Sequence, residues 1–307
     1  MPPAPSAIQR AGYLGPEGTF SEEALLGSVE GATVEPVALE TIREAVMAVQ
    51  AREIEWSLVP IENSVEGSVT VTLDTLARDA SEVAIVGEVV LPVRHYLIAS
   101  TALELRQIGT IVSHPHVPGQ CTRFLREQLP RARVVAATST AEAVRLVAEN
   151  KGDGANKTSG GRWAAIGTRL AAELYGCTVI AEGIQDREDN ETRFVWLARM
   201  DSPAGAPPLR HTGGIRHKTS LVLWGPGANR AGWLVLCLDE FARRAINLTK
   251  IESRPMRERL GHYMFFLDLE GSLADEVVSE ALAGLQSMCE QVRVLGSYPA
   301  ARKTPKD

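Results

Sequence analysis

The chain has 307 residues, 45% of them apolar and 23% charged, enough to bury a core without staples and to form roughly two domains at about 150 residues each. Its 32 Lys and Arg against 38 Asp and Glu give a net charge of −6, which argues against nucleic-acid binding and requires any anion site to be locally positive. Cys121, Cys177, Cys237 and Cys289 form no C-x-x-C pair, so neither a zinc site nor a redox dithiol is signalled, and the expectation is reduced thiols in a cytoplasmic protein. Residues 1–10 are rich in Pro and Ala, without the charged and apolar regions of a signal peptide. No run of about 18 apolar residues follows, so no membrane span is expected.

A short strand at 11–14 runs into Gly15-Pro16-Glu17-Gly18, after which Thr19 and Glu22 have capping-box spacing. Thr41 and Glu44 repeat that spacing before Ile42, Ala45, Val46 and Val49 at helical period, and Ser139 and Glu142 repeat it after a strand at 133–137. Other strands are expected at 56–59, 83–90, 96–99, 110–113, 163–166, 178–180 and 193–197. Strand and helix in alternation predict an α/β fold with largely parallel pairing and a ligand site outside the carboxyl ends of the strands.

Residues 151–162 are polar and Gly-rich and read as a surface loop. Residues 201–217, rich in Pro and Gly, read as an interdomain linker. This divides the chain into a first domain over 8–200 and a second over 218–298. The second reads strand 219–224, helix 230–244, strands 247–253 and 262–269, helix 273–290, strand 292–295, with Val277, Ala281, Leu285 and Met288 on one apolar helix face. That order is βαββαβ, the ferredoxin-like unit, and one face of its sheet needs a cover from the first domain or a second copy. Gly225-Pro226-Gly227 imitates a dinucleotide fingerprint, with Glu252 closing the next strand, but Arg230 stands where the third glycine belongs.

Four segments place polar groups just after strands: GPEGTFS (15–21), PIENSVEGS (60–68), SHPH (113–116) running to Gln120-Cys121, and DNETRF (189–194). Each alone reads as turn or loop chemistry. His114 and His116 have no third ligand in sight and do not make a metal site. Asn190-Glu191-Thr192 also matches a glycosylation pattern, as do Asn156-Lys157-Thr158 and Asn247-Leu248-Thr249, matches read as chance without a secretory signal.

In this order and spacing the segments resemble the prephenate dehydratase family. The matching stretches are YLGPEGTFSEEA, VPIENSVEGSV, SHPHVPGQC, IGTRLAAELYG and DNETRF, and the tail resembles the ACT regulatory domain, with GWLV (232–235) for the family's GALV and ESRP (252–255) in full. The resemblance implies two α/β lobes of the periplasmic-binding-protein kind with a central cleft, no cofactor and no metal. It also implies a substrate, prephenate, that loses carbon dioxide and hydroxide to become aromatic, and a homodimer or homotetramer. Family active-site positions fall on Asn63, Ser113, Gln120, Thr192, Arg193 and Phe194. Thr192 is then a donor near the leaving hydroxyl, with Glu62 the alternative acid if burial raises its pKa. Asn63, Ser113 and Gln120 are neutral donors, and Arg193 is a carboxylate clamp. Phe194, Thr19, Ser21 and Ser64 are candidate substrate contacts.

The resemblance also implies that Gly232, Trp233, Leu234, Val235, Glu252, Ser253, Arg254 and Pro255 line a site for L-phenylalanine as inhibitor. Trp233 and Ala231 depart from the family's small residue and Pro. Arogenate as substrate, a non-aromatising decarboxylase and a silent amino-acid sensor remain alternatives.

Overall fold

The computed structural model describes residues 9–30, 34–150, 162–210, 216–225, 230–257 and 261–301. In chain order the elements are β1 (Gln9–Leu14), α1 (Phe20–Ser28), β2 (Val34–Leu39), α2 (Ile42–Gln50), β3 (Trp56–Asn63), β4 (Gly67–Ser68), α3 (Thr70–Arg78), β5 (Val83–Pro92), β6 (Tyr96–Ala99) and β7 (Ile108–Ser113). They continue as α4 (Thr122–Gln128), β8 (Arg133–Ala136), α5 (Thr140–Glu149), β9 (Arg162–Gly167), α6 (Arg169–Leu174), β10 (Thr178–Ala181) and β11 (Glu191–Arg199). The tail holds β12 (His217–Trp224), α7 (Trp233–Ala242), β13 (Leu248–Pro255), β14 (Tyr263–Glu270), α8 (Glu276–Gln286) and β15 (Gln291–Pro299). The three capping signals mark real helix starts: Thr19, Thr41 and Ser139 accept from the N–H of Glu22, Glu44 and Glu142, satisfying a donor the helix leaves open.

The strands form three sheets, ordered β2-β1-β3-β11-β5 (with β4 beside β3), β10-β6-β9-β7-β8, and β13-β14-β12-β15. The first two are lobes of one α/β body. The chain crosses between them after β5 and returns before β11. Pairing is mixed rather than largely parallel. β1 is parallel to β2 and β3, and β7 to β8 and β9, whereas β11 runs against β3 and β5, and β6 against β9 and β10. Apart from the short β4, which folds back on β3, the antiparallel pairs involve strands next to the two crossings, where the chain leaves one lobe and re-enters the other instead of returning through a helix.

The tail has the expected βαββαβ order. In α8 Ala281 and Leu285 are buried as expected and Met288 packs on the same core, but Val278 and Leu282 complete the face in place of Val277, which is 48% exposed. The open face of the tail sheet packs on the first lobe: Val222, Met264, Phe266, Leu295 and Tyr298 share one core with Ile61, Leu73, Leu76 and Ile85. The backbones of β15 and β5 approach so closely that a Cβ at Gly296 would collide with the Ile85 carbonyl oxygen.

The predicted linker is docked over its first half. Glu30 N–H donates to Pro208 O at 2.8 Å, Arg210 N–H to Ser28 O at 2.9 Å, and Trp56 Nε1 to Gly205 O at 2.9 Å. The predicted surface loop lies outside the described residues except for Arg162, as do 211–215 of the linker and Pro226-Gly227 of the dinucleotide-like segment.

Candidate active site

A cleft of about 520 Å³ opens between the two lobes. Its walls are Leu14 and Gly15 at the end of β1, Glu40 after β2, Asn63 ending β3, His114 after β7 and Thr138 after β8. This is the carboxyl-end position that open α/β sheets reserve for ligands. Two helix starts from opposite lobes also face it, α1 with Thr19, Phe20 and Ser21, and α5 with Ser139 and Thr140. First-turn amides have no partner inside their own helix, so both starts present donors with a partial positive charge.

Strand register decides which predicted residues reach the cleft. Thr192 pairs with Asn63, and Arg193 with Glu62. Successive side chains on a strand point to opposite faces. Asn63 and Thr192 therefore face the cleft together, while Glu62 and Arg193 face the tail sheet together.

A hydrogen-bond chain runs through the cleft side. Asn63 Oδ1 accepts from the N–H groups of Val65 and Glu66, both at 2.9 Å, which turns its amide nitrogen outward. That nitrogen donates to Thr192 Oγ1 at 2.9 Å and to Asn190 Oδ1 at 3.0 Å. Asn190 Nδ2 donates to Gln120 Oε1 at 3.0 Å, and Gln120 Nε2 donates to Glu66 Oε1 at 3.1 Å. Both ends of the chain are fixed, by backbone donors at Asn63 and by an acceptor-only carboxylate at Glu66. The Thr192 oxygen is thus an acceptor from Asn63, and its own proton is left to donate into the cleft.

Several of the predicted site residues lie away from the cleft. Arg193, expected as a carboxylate clamp, does not line the cleft. Its side chain is 11% exposed and pairs with Asp268 at 2.7 Å, Glu88 at 3.3 Å and Glu62 at 3.4 Å, under the tail sheet. Burial opposes its charge, and Asp268, Tyr298, Glu88 and Glu62 outweigh that, raising its pKa. These are close opposite charges without aligned hydrogen bonds at Arg193 Nε and Nη2 or at Asp268 Oδ2.

Glu62 is 40% exposed and lies beside Arg193 and Lys250, away from the cleft, so it is not a buried acid near the reacting bond. Phe194 is 2% exposed and packs in the first-lobe core with Tyr13, Trp56 and Trp196. Ser113 is fully buried at the end of β7, donating to His114 O at 3.3 Å, and Ser64 is spent on Asp189 O and Glu191 N–H; neither lines the cleft. Thr19, Ser21, Asn63, Gln120 and Thr192 do.

The cleft also contains Glu66, His95, His114, His116 and Asn190, to which the sequence assigned no role. All but His95 lie inside the quoted segments, so their presence was signalled. His95 sits between two strands with nothing to mark it. Burial lowers the pKa of His95, with the Gln120 contact opposing, and burial with neighbouring His116 lowers that of His114.

A second cavity, of about 300 Å³, lies at the start of α7 and is lined by Arg230 through Val235 with Gly225, Gly261, Tyr263 and Phe265. Gly232 caps the helix at φ 80°, a conformation that favours glycine. Trp233 is 2% exposed, donates from Nε1 to Met288 O at 2.9 Å and lies 6.0 Å from the Phe265 ring, so its bulk forms the cavity's inner wall. Glu252, Ser253, Arg254 and Pro255 do not line this cavity in the single chain. Alternation along β13 turns Lys250 and Arg254 to the first lobe, where they meet Ser68 at 2.7 Å and Asp74 at 2.9 Å, and Glu252 lies beside Lys250 at 3.4 Å.

Residues 11–202 match the prephenate dehydratase family. A prephenate dehydratase of Mycobacteroides abscessus is 41% identical over 304 residues, covering 97% of this chain and 92% of its own. The crystal structure of prephenate dehydratase in complex with L-Phe from Arthrobacter aurescens superposes with a TM-score of 0.80 at 38% identity, covering 95% of this chain and 90% of that one. The prephenate dehydratase of Staphylococcus aureus superposes with a TM-score of 0.76 at 25% identity, covering 95% and 100%.

Proposed function

The chain belongs to the prephenate dehydratase family, and on that premise we propose how its cleft drives loss of carbon dioxide and water from prephenate to give phenylpyruvate. The protein must hold a dianion and help hydroxide depart, while aromatisation supplies the driving force. The observation that carries the reading is the Thr192 hydroxyl, whose oxygen accepts from Asn63 so that its proton is not spent there and can donate to the leaving hydroxyl. A threonine is too weak an acid to surrender a free proton at neutral pH. It stabilises charge as it develops on the departing oxygen, and water accompanies the final transfer.

No Lys or Arg is among the described residues lining the cleft. The two substrate carboxylates are therefore assigned to the starts of α1 and α5, one from each lobe, where backbone amides and the positive end of the helix dipole receive anions. A ligand held this way draws the lobes together. It also leaves the ring carboxylate poorly hydrated, which favours its departure as carbon dioxide.

The catalytic domain is assigned to 8–200 and an ACT regulatory domain to 218–298, with phenylalanine bound at the α7 cavity as inhibitor. Support comes from the βαββαβ order, the left-handed Gly232 and the relative solved with L-Phe. A second copy completes this site by bringing its own β13 to the α7 cavity. β13 is an edge strand, and Val235, Leu236, Ile251 and Tyr263 are exposed around it and α7. The direct test is incubation with prephenate, following phenylpyruvate by its alkaline absorbance and any non-aromatic product by mass. A non-aromatic product, or none, would overturn the assignment.

A further inference from the structure

We propose that His95 is a positioning residue that, by donating from Nε2 to Gln120 Oε1, holds Gln120 in the hydrogen-bond chain ending on Thr192. The proposal rests on Thr192 being the donor to the leaving hydroxyl. His95 lies in the first crossing between lobes, 1% exposed, and the second crossing grips its backbone: its N–H donates to Gln185 Oε1 at 3.0 Å and its carbonyl accepts from Ile184 N–H at 3.1 Å. The ring stands edge-on to Phe20 with centroids 5.7 Å apart. Its Nε2 is 3.0 Å from Gln120 Oε1.

The tautomer follows from the neighbours. Glu66 can only accept, so Gln120 turns its nitrogen to Glu66 and its oxygen to Asn190 and His95. An amide oxygen cannot donate, so His95 Nε2 carries the proton. Nδ1 is then a bare acceptor, and no donor among the described residues reaches it. Burial lowers the pKa of the ring, against the Gln120 contact, and so favours its neutral form.

With the other tautomer, two acceptors would face each other. Relieving that clash by turning Gln120 over would set its oxygen against Glu66 and its nitrogen against the Asn190 donor. Asn63 cannot follow, because Val65 and Glu66 N–H hold its oxygen. His95 thus completes a chain with one self-consistent direction, the one that leaves the Thr192 proton pointing into the cleft.

The experiment compares His95→Phe, which keeps the ring and the contact with Phe20 but lacks the donor, with His95→Gln, whose amide can restore a donor near the Nε2 position. In the first, kcat should fall about 10-fold or more with KM within about 3-fold, because a donor held less firmly acts on the transition state rather than on binding. The Gln variant should recover to within about 3-fold of the wild type. Imidazole ¹⁵N NMR of the wild-type enzyme at neutral pH should show Nε2 protonated and Nδ1 bare, a readout independent of activity and of whether His95→Phe folds. A Phe variant with kcat within about 2-fold, a Gln variant no better than Phe, or a proton on Nδ1 would overturn the proposal. Failure of the underlying assignment is seen separately, as near-normal kcat in Thr192→Val.

Discussion

Thr192 and Arg193 are neighbours in sequence and serve different parts of the molecule. The Thr192 hydroxyl accepts from Asn63 at 2.9 Å at the end of the polar chain, so removing it leaves the rest of that chain in place and deletes one donor. Thr192→Val should lower kcat by about 100-fold or more with little change in KM, as steady-state kinetics on prephenate will report. Arg193 is held by Asp268 and Glu88 beneath the tail sheet, so its loss strands buried carboxylates. Arg193→Met should destabilise the chain by about 3 kcal/mol in chemical denaturation, with prephenate KM within about 3-fold. A large rise in KM at unchanged stability would return Arg193 to the substrate.

The histidines add a pH dependence. The folded-state pKa of His95 is lowered, so the unfolded chain binds the proton more readily, and stability present above the ordinary value of about 6.5 is lost as pH falls below it. His95→Gln cannot titrate there, and its melting temperature should change less between pH 7 and pH 5.5, about the range over which an ordinary histidine charges. Identical slopes for variant and wild type would remove His95 as the source.

At the scale of elements, β11 is the structural pivot. One face of the strand presents Thr192 to the cleft while Arg193 faces the tail sheet, and its pairing with β3 and β5 holds both in register. The tail sheet reaches this pivot because β15 lies against β5 without a side chain between them. Gly296→Ala would force the Ile85 carbonyl and β15 apart. The expected results are a lower melting temperature and a weaker response to phenylalanine, with kcat in its absence changed less than either. A variant as stable as wild type and equally inhibited would show that this close approach does not carry the coupling.

At the scale of the molecule, the catalytic body and the tail are one packed unit. Ile61, Leu73, Leu76 and Ile85 are buried by the tail's Val222, Met264, Phe266, Leu295 and Tyr298. Arg254 and Arg257 meet Asp74 across the same seam, and Arg293 donates to the Leu76 carbonyl at 2.8 Å. A chain ending at Arg210 keeps the docked strap but exposes that apolar surface. It should retain prephenate turnover and ignore phenylalanine, and it should melt lower and aggregate more readily than the full chain, as light scattering on heating will show. A truncated enzyme still inhibited by phenylalanine would place the effector in the cleft.

The sequence by itself determined the local events. Capping boxes at Thr19, Thr41 and Ser139 marked helix starts because a hydroxyl and an N–H three residues apart are enough to satisfy each other. The βαββαβ order was legible for a similar reason, since period and turn chemistry are properties of short windows. The polar segments after strands converged on one cleft, and the motif order carried the family.

Only the tertiary structure decided which way each motif residue points. Arg193 could not be recognised as an interdomain residue, because its partners Glu88 and Asp268 lie far along the chain and its neighbour Thr192 does face the cleft. His95 had no local signal at all, because its role arises where the two lobe crossings meet. Register and the packing of distant strands assign faces, and neither is written in a window of ten residues.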